Sequence, residues 1–480
     1  MAASLVELGV RRGDRVGILL PKQPEAIAAV YGVMKTGAAY VPLDPRAPEA
    51  YTAVICSDCD PSALITTRSR ATGVLDVLEA RRASPPRGVV MVDEARGGSD
   101  HLQVPSISYS EAAAPPGAPS VRGTRGDLAC LLYTSGSTGA PKGVMHTHDA
   151  LLAGTRWFCR TMGVGPDDRL YAHAPLHFML SVYGVFPAAL RSATSVLSMI
   201  EQPLPSDLAQ LVSAEGVTVW VSTPFPLRLL MAGAKRRSLA SLRTVMCGGG
   251  SLLGSDVGTL RSLGSDARVW HSYGSTEALA VCCHLVEDVP DASRPVAIGE
   301  PIDDVTVLLV GDGDRAGQPV QEGELYVGSP RLMQGYWGDP ERTAQVLVPH
   351  PSQEGGRLFR TGDVVRWLGD GKLEYVKRTD LTVKVRGYRV DLNEVEAVLN
   401  GHPATRESVV VAAPHPHWGV TIVAYLELRD GARATERQLR GHVAARLPSY
   451  MVPARIVTMS KLPRTSTDKV DRQRLAAELP

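Results

Sequence analysis

The sequence lacks the features that define several classes of protein. No apolar run approaches the roughly 20 residues that a membrane-spanning helix needs, and no secretory leader pattern follows Met1. Basic and acidic side chains nearly balance, at 51 and 50, so bulk charge gives no support for nucleic-acid binding. These absences favour an ordinary soluble globular protein of 480 residues, long enough for two or three domains.

Cysteine is also scarce. Seven cysteines, an odd number spread thinly along the chain, are typical of a reduced cytoplasmic protein. Cys56 and Cys59 form a lone CxxC, and no second pair follows at the spacing of a zinc ribbon. We interpret them as free thiols and expect no metal site there.

What the sequence does contain is a stretch rich in hydroxyls and glycine. Residues 133–143 read YTSGSTGAPKG, with four serine or threonine hydroxyls and three glycines, and they follow the apolar run 128–132. Such a composition suits a loop whose backbone N–H groups and hydroxyls turn toward an anion. The spacing of a Walker A motif is absent, because Gly143 follows Lys142. The stretch predicts a phosphate-binding loop after a buried strand.

The remaining pattern predicts an α/β fold. Residues 15–43 read as strand, helix and strand, which favours a parallel sheet covered by helices. Later strands run into two polar turns, 248–250 and 271–277. Ligands bind beyond the carboxyl ends of strands in such sheets, so these turns and the phosphate loop predict one nucleotide cleft.

The pattern of residues changes near residue 300, and this change predicts a second kind of structure. Short strands broken by Gly-Asp turns favour a small β subdomain, and a compact unit of mixed strands and helices begins near residue 380. In that unit Asp391 and Glu394 predict a capping box, and earlier in the chain Ser206 predicts a helix cap. We therefore expect a large N-terminal domain of parallel-rich sheets over residues 1–379. A small, mobile α+β domain follows over residues 380–480.

Seven motifs in order resemble those of the adenylate-forming superfamily, which includes acyl- and aryl-CoA ligases, luciferases and the adenylation domains of nonribosomal peptide synthetases. The phosphate loop is one of them. The others are KTGAAYVPLD (35–44), HSYGSTE (271–277), GELYVG (323–328) with Gly335-Tyr336, FRTGD (359–363), KRTDLTVKVRG (377–387) and LPRTSTDKVDR (462–472). They span residues 35–472, so the chain is similar throughout to a stand-alone adenylation domain, an acid–AMP ligase.

The resemblance implies ATP and Mg²⁺ as cofactors and attack by a carboxylate on the α-phosphate of ATP. It implies that Lys469 bridges the carboxylate and the α-phosphate, that Glu277 holds Mg²⁺, and that Asp380 is the hinge of a small domain that swings after adenylation. Thr276 and Lys142 complete the implied catalytic set. The implied ATP-binding residues are Thr134, Ser135, Gly136, Ser137, Thr138, Gly139, Gly248, Gly249, Gly250, Ser272, Tyr273, Gly274, Ser275, Asp363, Tyr375 and Arg378.

The choice of acid depends on the fourth core motif of the family. Amino-acid-activating relatives carry Phe-Asp there, and the aspartate pairs with the substrate ammonium. Here Phe178 is followed by Met179, so an ammonium would be buried without a partner. We expect a small aryl or unsaturated carboxylic acid; a shifted register, and with it an α-amino acid, is the alternative. The other expected lining residues are His177, Tyr183, Val221, Val245, Cys247, Ala280 and Val281, with Ser272.

The acceptor of the acyl group is left open by the sequence. We expect the phosphopantetheine thiol of a carrier protein supplied in trans, since no carrier module follows Pro480. Free CoA, an amine and a non-catalytic nucleotide-binding role are the alternatives, and a small helper protein is a further expected partner. The chain also starts late relative to the family, and Gly250-Ser251 and Thr467-Asp468 depart from the family's Gly-Glu and Asn-Gly.

Overall fold

The computed structural model describes residues 1–93, 102, 104–113, 123–136, 140–198, 200, 203–289, 291–311, 320–415, 419–465 and 470–477. Among these residues, no helix is both long and apolar enough to cross a membrane. All seven cysteines are free; Cys56 and Cys59 are buried, and burial raises the pKa of Cys56 to about 12. The two residues are therefore free thiols, as interpreted from the sequence.

The first sheet has seven described strands in the order β5-β4-β3-β1-β2-β6-β7. In chain order they are β1 (Arg15–Ile18), β2 (Ala39–Pro42), β3 (Ala63–Thr66), β4 (Gly88–Met91), β5 (Ser106–Ser108), β6 (Leu128–Thr134) and β7 (Lys142–Thr147). The accompanying helices are α1 (Ala2–Glu7), α2 (Pro24–Lys35), α3 (Glu49–Cys59), α4 (Arg68–Ala80) and α5 (Tyr109–Ala113). Strands β1 to β6 pair in parallel, and only the β6–β7 hairpin is antiparallel within these strands.

The second sheet follows the order β14-β13-β12-β11-β10-β8-β9. Its described strands are β8 (Arg169–Ala172), β9 (Thr194–Ser195), β10 (Val219–Ser222), β11 (Thr244–Gly248), β12 (Arg268–Ser275), β13 (Leu279–Val286) and β14 (Glu300–Pro301). Its helices are α6 (His148–Met162), α7 (Val182–Arg191), α8 (Pro205–Ala214), α9 (Pro224–Gly233) and α10 (Gly254–Ser262). Strands β10 and β11 are parallel and fully buried, which explains their continuous apolar sequences.

An antiparallel β subdomain completes the large part of the chain. It consists of β15 (Thr306–Val310), β16 (Glu322–Gly328), β17 (Leu347–Pro349), β18 (Arg357–Trp367) and β19 (Leu373–Arg378), with helix α11 (Pro340–Val346). The small C-terminal unit begins with the hairpin of β20 (Thr382–Val385) and β21 (Tyr388–Asp391). Its described sheet consists of β22 (Thr405–His415), β23 (Gly419–Leu428) and β24 (Arg455–Met459). Its described helices are α12 (Leu392–Asn400), α13 (Glu436–Ala444) and α14 (Arg472–Ala477). One buried apolar cluster joins this unit to the first sheet, with Leu64 and Val390 among its members.

The predicted fold class is confirmed, with three local corrections. Residues 271–275 belong to strand β12, so only the end of the predicted polar turn is a turn. Helix α8 begins at Pro205, and the side chain of Asp207, not that of Ser206, accepts the N–H of Leu204. Glu394 does not cap its own helix, because it contacts the phosphate loop instead. The boundary at residues 379–380 and the mobility of the small unit stay predictions.

Candidate active site

The phosphate loop is the turn of the β6–β7 hairpin. Thr134 and Lys142 face each other across the hairpin. A Cβ atom at Gly136 would lie 2.1 Å from the carbonyl oxygen of Ala140, so this turn admits only glycine there. The hydroxyl of Thr134 is buried and has no hydrogen-bond partner among the described residues, which leaves it available to a phosphate oxygen. Ser137, Thr138 and Gly139 lie outside the described residues.

Glu277 is the centre of the site. It is fully buried, and its carboxylate contacts Lys142 Nζ at 3.3 Å and accepts a hydrogen bond from Tyr336 OH at 3.0 Å. Arg389 Nη1, from the small unit, lies 2.9 and 3.0 Å from the two carboxylate oxygens. Burial opposes ionisation of Glu277, but Arg389 and Lys142 outweigh it and hold its pKa well below the usual range. The preceding residue, Thr276, is fixed by its carbonyl, 2.6 Å from His146 Nε2.

Lys142 is held by the same group of residues. Its ammonium donates to Tyr336 OH at 2.9 Å and lies 4.4 Å from the centre of that ring. Burial, followed by repulsion from Arg389, lowers the pKa of Lys142 to about 8. The structure therefore brings the predicted Glu277 and Lys142 together, and adds Tyr336 and Arg389. Tyr336 belongs to a motif that the sequence showed, whereas no local pattern pointed to Arg389.

A second group joins the predicted ribose end to the predicted hinge. Tyr273 OH donates to Asp363 Oδ2 at 2.5 Å, and Arg378 Nη1 donates to Asp363 Oδ1 at 2.7 Å. Arg378 also donates through Nε and Nη2 to Asp380, at 2.8 Å each. Burial opposes ionisation of Asp380, yet the bonds from Arg378 lower its pKa to about 2. Tyr375 stands on β19 and is 39 % exposed.

The glycine-rich turn after β11 and the end of β12 lie side by side, as predicted for one cleft. Gly248 pairs with Ser272 in the parallel register, and Gly249 has φ +74°, a left-handed conformation. Gly250 follows beside Pro224. In β12, a Cβ atom at Gly274 would lie 2.0 Å from the carbonyl oxygen of Leu279, and the hydroxyl of Ser275 is buried without a partner in the described part of the chain.

The predicted substrate-pocket residues do not share one wall. Val221, Tyr183 and Ala280 belong to one buried cluster, in which Tyr183 stacks on Phe158. Val245 and Cys247 belong to another, because they alternate with Met246 and face the other side of the sheet. Val281 lies in a third cluster.

The fourth core motif lies at the start of helix α7. Met179 packs at the edge of an apolar cluster with Leu176 and Val182. Phe178 meets Tyr388 of the small unit edge to face, with ring centres 4.6 Å apart. His177 Nε2 lies 3.8 Å from Asp44 Oδ2, and both ring nitrogens are buried without hydrogen-bond partners among the described residues.

The small unit closes directly over the phosphate loop. The hydroxyl of Ser135 donates to the carbonyl of Arg389 at 2.9 Å and accepts the N–H of Asp391 at 3.0 Å. The N–H of Gly136 donates to Glu394 Oε2 at 3.3 Å. Burial raises the pKa of Glu394 to about 8. Groups predicted to hold phosphate are thus occupied by the small unit in this arrangement, and Lys469 lies outside the described residues.

A cavity of about 410 Å³ opens between the two parts of the chain. Its walls on the large part include Lys22, Phe178 and Thr223, and its walls on the small unit include Arg386 and Tyr388. Thr223 also approaches the nucleotide turn: a Cβ atom at Gly249 would lie 3.4 Å from its methyl group. The cavity therefore reaches from solvent to the edge of the predicted nucleotide cleft.

These residues fit ATP and Mg²⁺ on chemical grounds. The unpartnered hydroxyls of Thr134 and Ser275 would be available to bind phosphate or ribose oxygens, and Lys142 would supply a positive charge. The described residues contain no cluster of three metal-binding side chains, so a metal ion at Glu277 would complete its shell with phosphate oxygens and water. Both oxygens of Glu277 are engaged by Arg389 here, so that site requires Arg389 to withdraw.

Both parts of the chain match models of AMP-binding enzymes. Residues 1–337 match the model of the AMP-binding enzyme family, and residues 394–469 match the AMP-binding enzyme C-terminal domain. A linear gramicidin synthase of Brevibacillus parabrevis is 35 % identical over 99 % of this chain, and tyrocidine synthase 1 of the same organism is 32 % identical over 99 %. The chain spans only 9 % and 41 % of the lengths of these two relatives.

Solved structures of adenylate-forming enzymes also resemble this chain. The amide bond synthetase McbA from Marinactinospora thermotolerans is 30 % identical, with a TM-score of 0.86 over 99 % of this chain and 92 % of that one. The o-succinylbenzoate CoA synthetase MenE from Bacillus subtilis shares the fold, at 24 % identity and a TM-score of 0.82, over 99 % of this chain and 91 % of that one. The chain belongs to the AMP-binding enzyme family.

Proposed function

We propose that this enzyme activates a small aryl or unsaturated carboxylic acid as its acyl-adenylate and passes the acyl group to the phosphopantetheine thiol of a carrier protein. The observation that carries the choice of acid is Met179, which stands where amino-acid-activating relatives have an aspartate and packs among apolar side chains. An α-ammonium group buried there would find no partner in the motif.

In the first half-reaction, the acid's carboxylate attacks the α-phosphate and pyrophosphate leaves. Both reactants are anions, so the residues act by positioning and by neutralising charge. Lys142 and the hydroxyl of Thr134 would hold the phosphates, and Lys469 would bridge the reacting groups. Mg²⁺, held by Glu277 and the phosphates, supplies further positive charge when it is bound.

The second half-reaction would use the cavity between the two parts of the chain. Its aromatic walls, Phe178 and Tyr388 among them, suit the slender chain of a pantetheine arm, whose amides and gem-dimethyl group would pass between them. Arg46 and Arg386 are exposed and line the same cavity, where they would face the phosphate of that arm. The seven free cysteines agree with a reducing compartment, and we place the reaction in the cytoplasm.

A second acceptor, a small amine, is supported by one specific observation. The amide bond synthetase McbA matches nearly the whole of this chain. An amine would enter the same cavity as the pantetheine arm. The two proposals share the acyl-adenylate and differ only in the group that attacks it.

Two assays test these proposals in turn. The first measures acid-dependent pyrophosphate release with benzoic, cinnamic, short aliphatic and amino acids; we expect aryl or unsaturated acids to be best. Preference for α-amino acids would contradict the assignment of Met179. The second offers the best acid with pantetheine, CoA, a phosphopantetheinylated carrier protein or phenethylamine. We expect acyl transfer to the carrier protein; transfer only to the amine would replace the first acceptor by the second.

A further inference from the structure

Lys22 is a half-buried lysine that borders the cavity between the two parts of the chain. It stands between β1 and helix α2, and its Nζ reaches the end of β8, where it donates to the carbonyl of Ala174 at 2.9 Å and to that of Ala172. Its aromatic contact is with Tyr171, and the centre of the Tyr171 ring lies 5.7 Å from Lys22 Nζ. No carboxylate within the described ranges lies at ion-pair distance from it, so its two carbonyl partners carry no charge to balance the ammonium.

The environment of Lys22 favours its neutral form. Burial lowers its pKa to about 7. The ionisable groups of the large part around it and across the cavity are Tyr171, His173, Asp44 and Arg46. On the small unit they are Arg386, Tyr388 and Tyr450.

The two carbonyls give the neutral amine a defined orientation. A neutral amine has two N–H hydrogens and one lone pair. Donation to Ala172 and Ala174 uses both hydrogens, so the lone pair points away from the carbonyls. The protonated form has a third hydrogen in that position. Lys22 can therefore take up and release a proton on its free side without breaking its two hydrogen bonds.

We propose that Lys22 is the base that accepts the proton lost by the acceptor when it attacks the acyl-adenylate. This inference rests on the proposed function. The sulfur or nitrogen lone pair of the acceptor forms a bond to the acyl carbon, and the bond between that carbon and the phosphate oxygen breaks. AMP leaves with the electron pair, and the acceptor's proton passes to the lone pair of Lys22. The proton then leaves through the open end of the cavity.

The neighbouring groups are less suited to this task. Burial, together with Lys22 and Arg46, lowers the pKa of His173 to about 4, which makes it a weak base at neutral pH. Lys142 is committed to Glu277 and Tyr336. Lys22 lines the same cavity as Phe178 of the fourth core motif. It binds the carbonyl of Ala174, and the N–H of Phe178 bonds the carbonyl of the next residue, Pro175. A base whose pKa is near the working pH gives the most effective general base catalysis.

The test separates the two half-reactions in single turnover. Wild type, Lys22→Gln and Lys22→Arg are each mixed with ATP and the best acid, and adenylate formation is measured as pyrophosphate released. Lys22→Gln keeps an N–H donor for the carbonyls but has no basic lone pair, and Lys22→Arg keeps the charge but does not deprotonate. Lys35→Gln, at the exposed end of the following helix α2, is the control. The adenylates are then mixed with pantetheine, or with the more acidic thiol thiophenol, between pH 6 and 9.

We expect both Lys22 variants to form adenylate within about twofold of wild type and to transfer it to pantetheine about 100-fold more slowly at pH 7. The deficit should shrink as pH rises, and it should be smaller with thiophenol, because an ionised thiol has no proton to lose. Wild-type transfer rates in both variants would overturn the proposal. A deficit that is equal for both thiols at every pH would also overturn it, because it would indicate a structural role. A loss of adenylate formation confined to the variants would overturn it as well. Failure of wild type to form adenylate with any acid would overturn the proposed function, and this inference with it.

Discussion

Arg389 of the small unit holds Glu277 of the large domain, with Nη1 at 2.9 and 3.0 Å from the two carboxylate oxygens. The contact joins residues that are 112 positions apart in the chain. Because a carboxylate that faces a guanidinium at this distance is a poor ligand for Mg²⁺, the arrangement is one in which the metal site is closed. Metal binding and docking of the small unit should therefore compete for Glu277.

Replacing Glu277 should stop the first half-reaction. In Glu277→Gln, the group proposed to hold Mg²⁺ is lost, and Lys142 and Arg389 lose their buried partner. We expect acid-dependent ATP–pyrophosphate exchange to fall by at least about 100-fold, the scale of losing one major electrostatic contact. Glu287→Gln, at an exposed position, is the control and should retain activity. Exchange within tenfold of wild type would contradict the role of Glu277.

Replacing Arg389 should loosen the small unit without removing the nucleotide site. Arg389→Met deletes the contact with Glu277 and keeps most of the apolar stem. We expect faster cleavage by trypsin near residues 377–386, with ATP–pyrophosphate exchange retained. Arg437→Met, on the exposed side of α13, should leave the cleavage rate unchanged. Equal cleavage of Arg389→Met and wild type would show that this contact does not hold the small unit.

Introducing a carboxylate at position 179 should change the acid that is accepted. Met179→Asp places a negative charge where an α-ammonium group would otherwise be unpaired. We expect pyrophosphate release with α-amino acids to rise, and release with aryl or unsaturated acids to fall, by about tenfold each, the effect of roughly 1.4 kcal/mol. Met179→Leu, which stays apolar, should keep the wild-type preference. An unchanged preference in Met179→Asp would indicate that residue 179 does not face the acid.

Glu394 should make docking of the small unit sensitive to pH. Its pKa rises from 4.5 to about 8 on burial beside Gly136, so folding favours the protonated form. The contribution of protonated Glu394 to the free energy of unfolding is fully present below pH 4.5 and is lost as the pH rises through about 8. Glu394→Gln, which is always neutral, should lose less stability between pH 5 and 8 than wild type in thermal unfolding. Glu354→Gln, at an exposed site, is the control; parallel pH profiles for wild type and Glu394→Gln would contradict this account.

The sequence predicted the fold class and singled out Lys142 and Glu277, because those features are local. A glycine-rich loop after an apolar strand, and an acidic residue at the end of a later motif, can be recognised from consecutive residues, and the structure brings Lys142 and Glu277 within 3.3 Å. Arg389 was missed because its role depends on how the small unit docks. Glu394 was assigned to its own helix for the same reason.

The predicted substrate pocket shows a second limit of prediction from a single sequence. Val221 and Cys247 were grouped by register along the chain, but the parallel pairing of β10 with β11 places Val221 opposite Met246. Side chains alternate along a strand, so Val245 and Cys247 face away from Val221. The register between two strands is set by the packing of the whole sheet, which a single sequence does not show.

The most direct test of acid–AMP ligase activity is acid-dependent ATP–pyrophosphate exchange in wild type and in Lys469→Ala, with Lys461→Ala as the matched control at an exposed position nearby. We expect exchange with an aryl or unsaturated acid in wild type and Lys461→Ala. In Lys469→Ala we expect a loss of at least about 100-fold, because a positioned charge at the reacting phosphate is removed. Exchange at the wild-type rate in Lys469→Ala, or no exchange in wild type with any acid, would contradict this expectation.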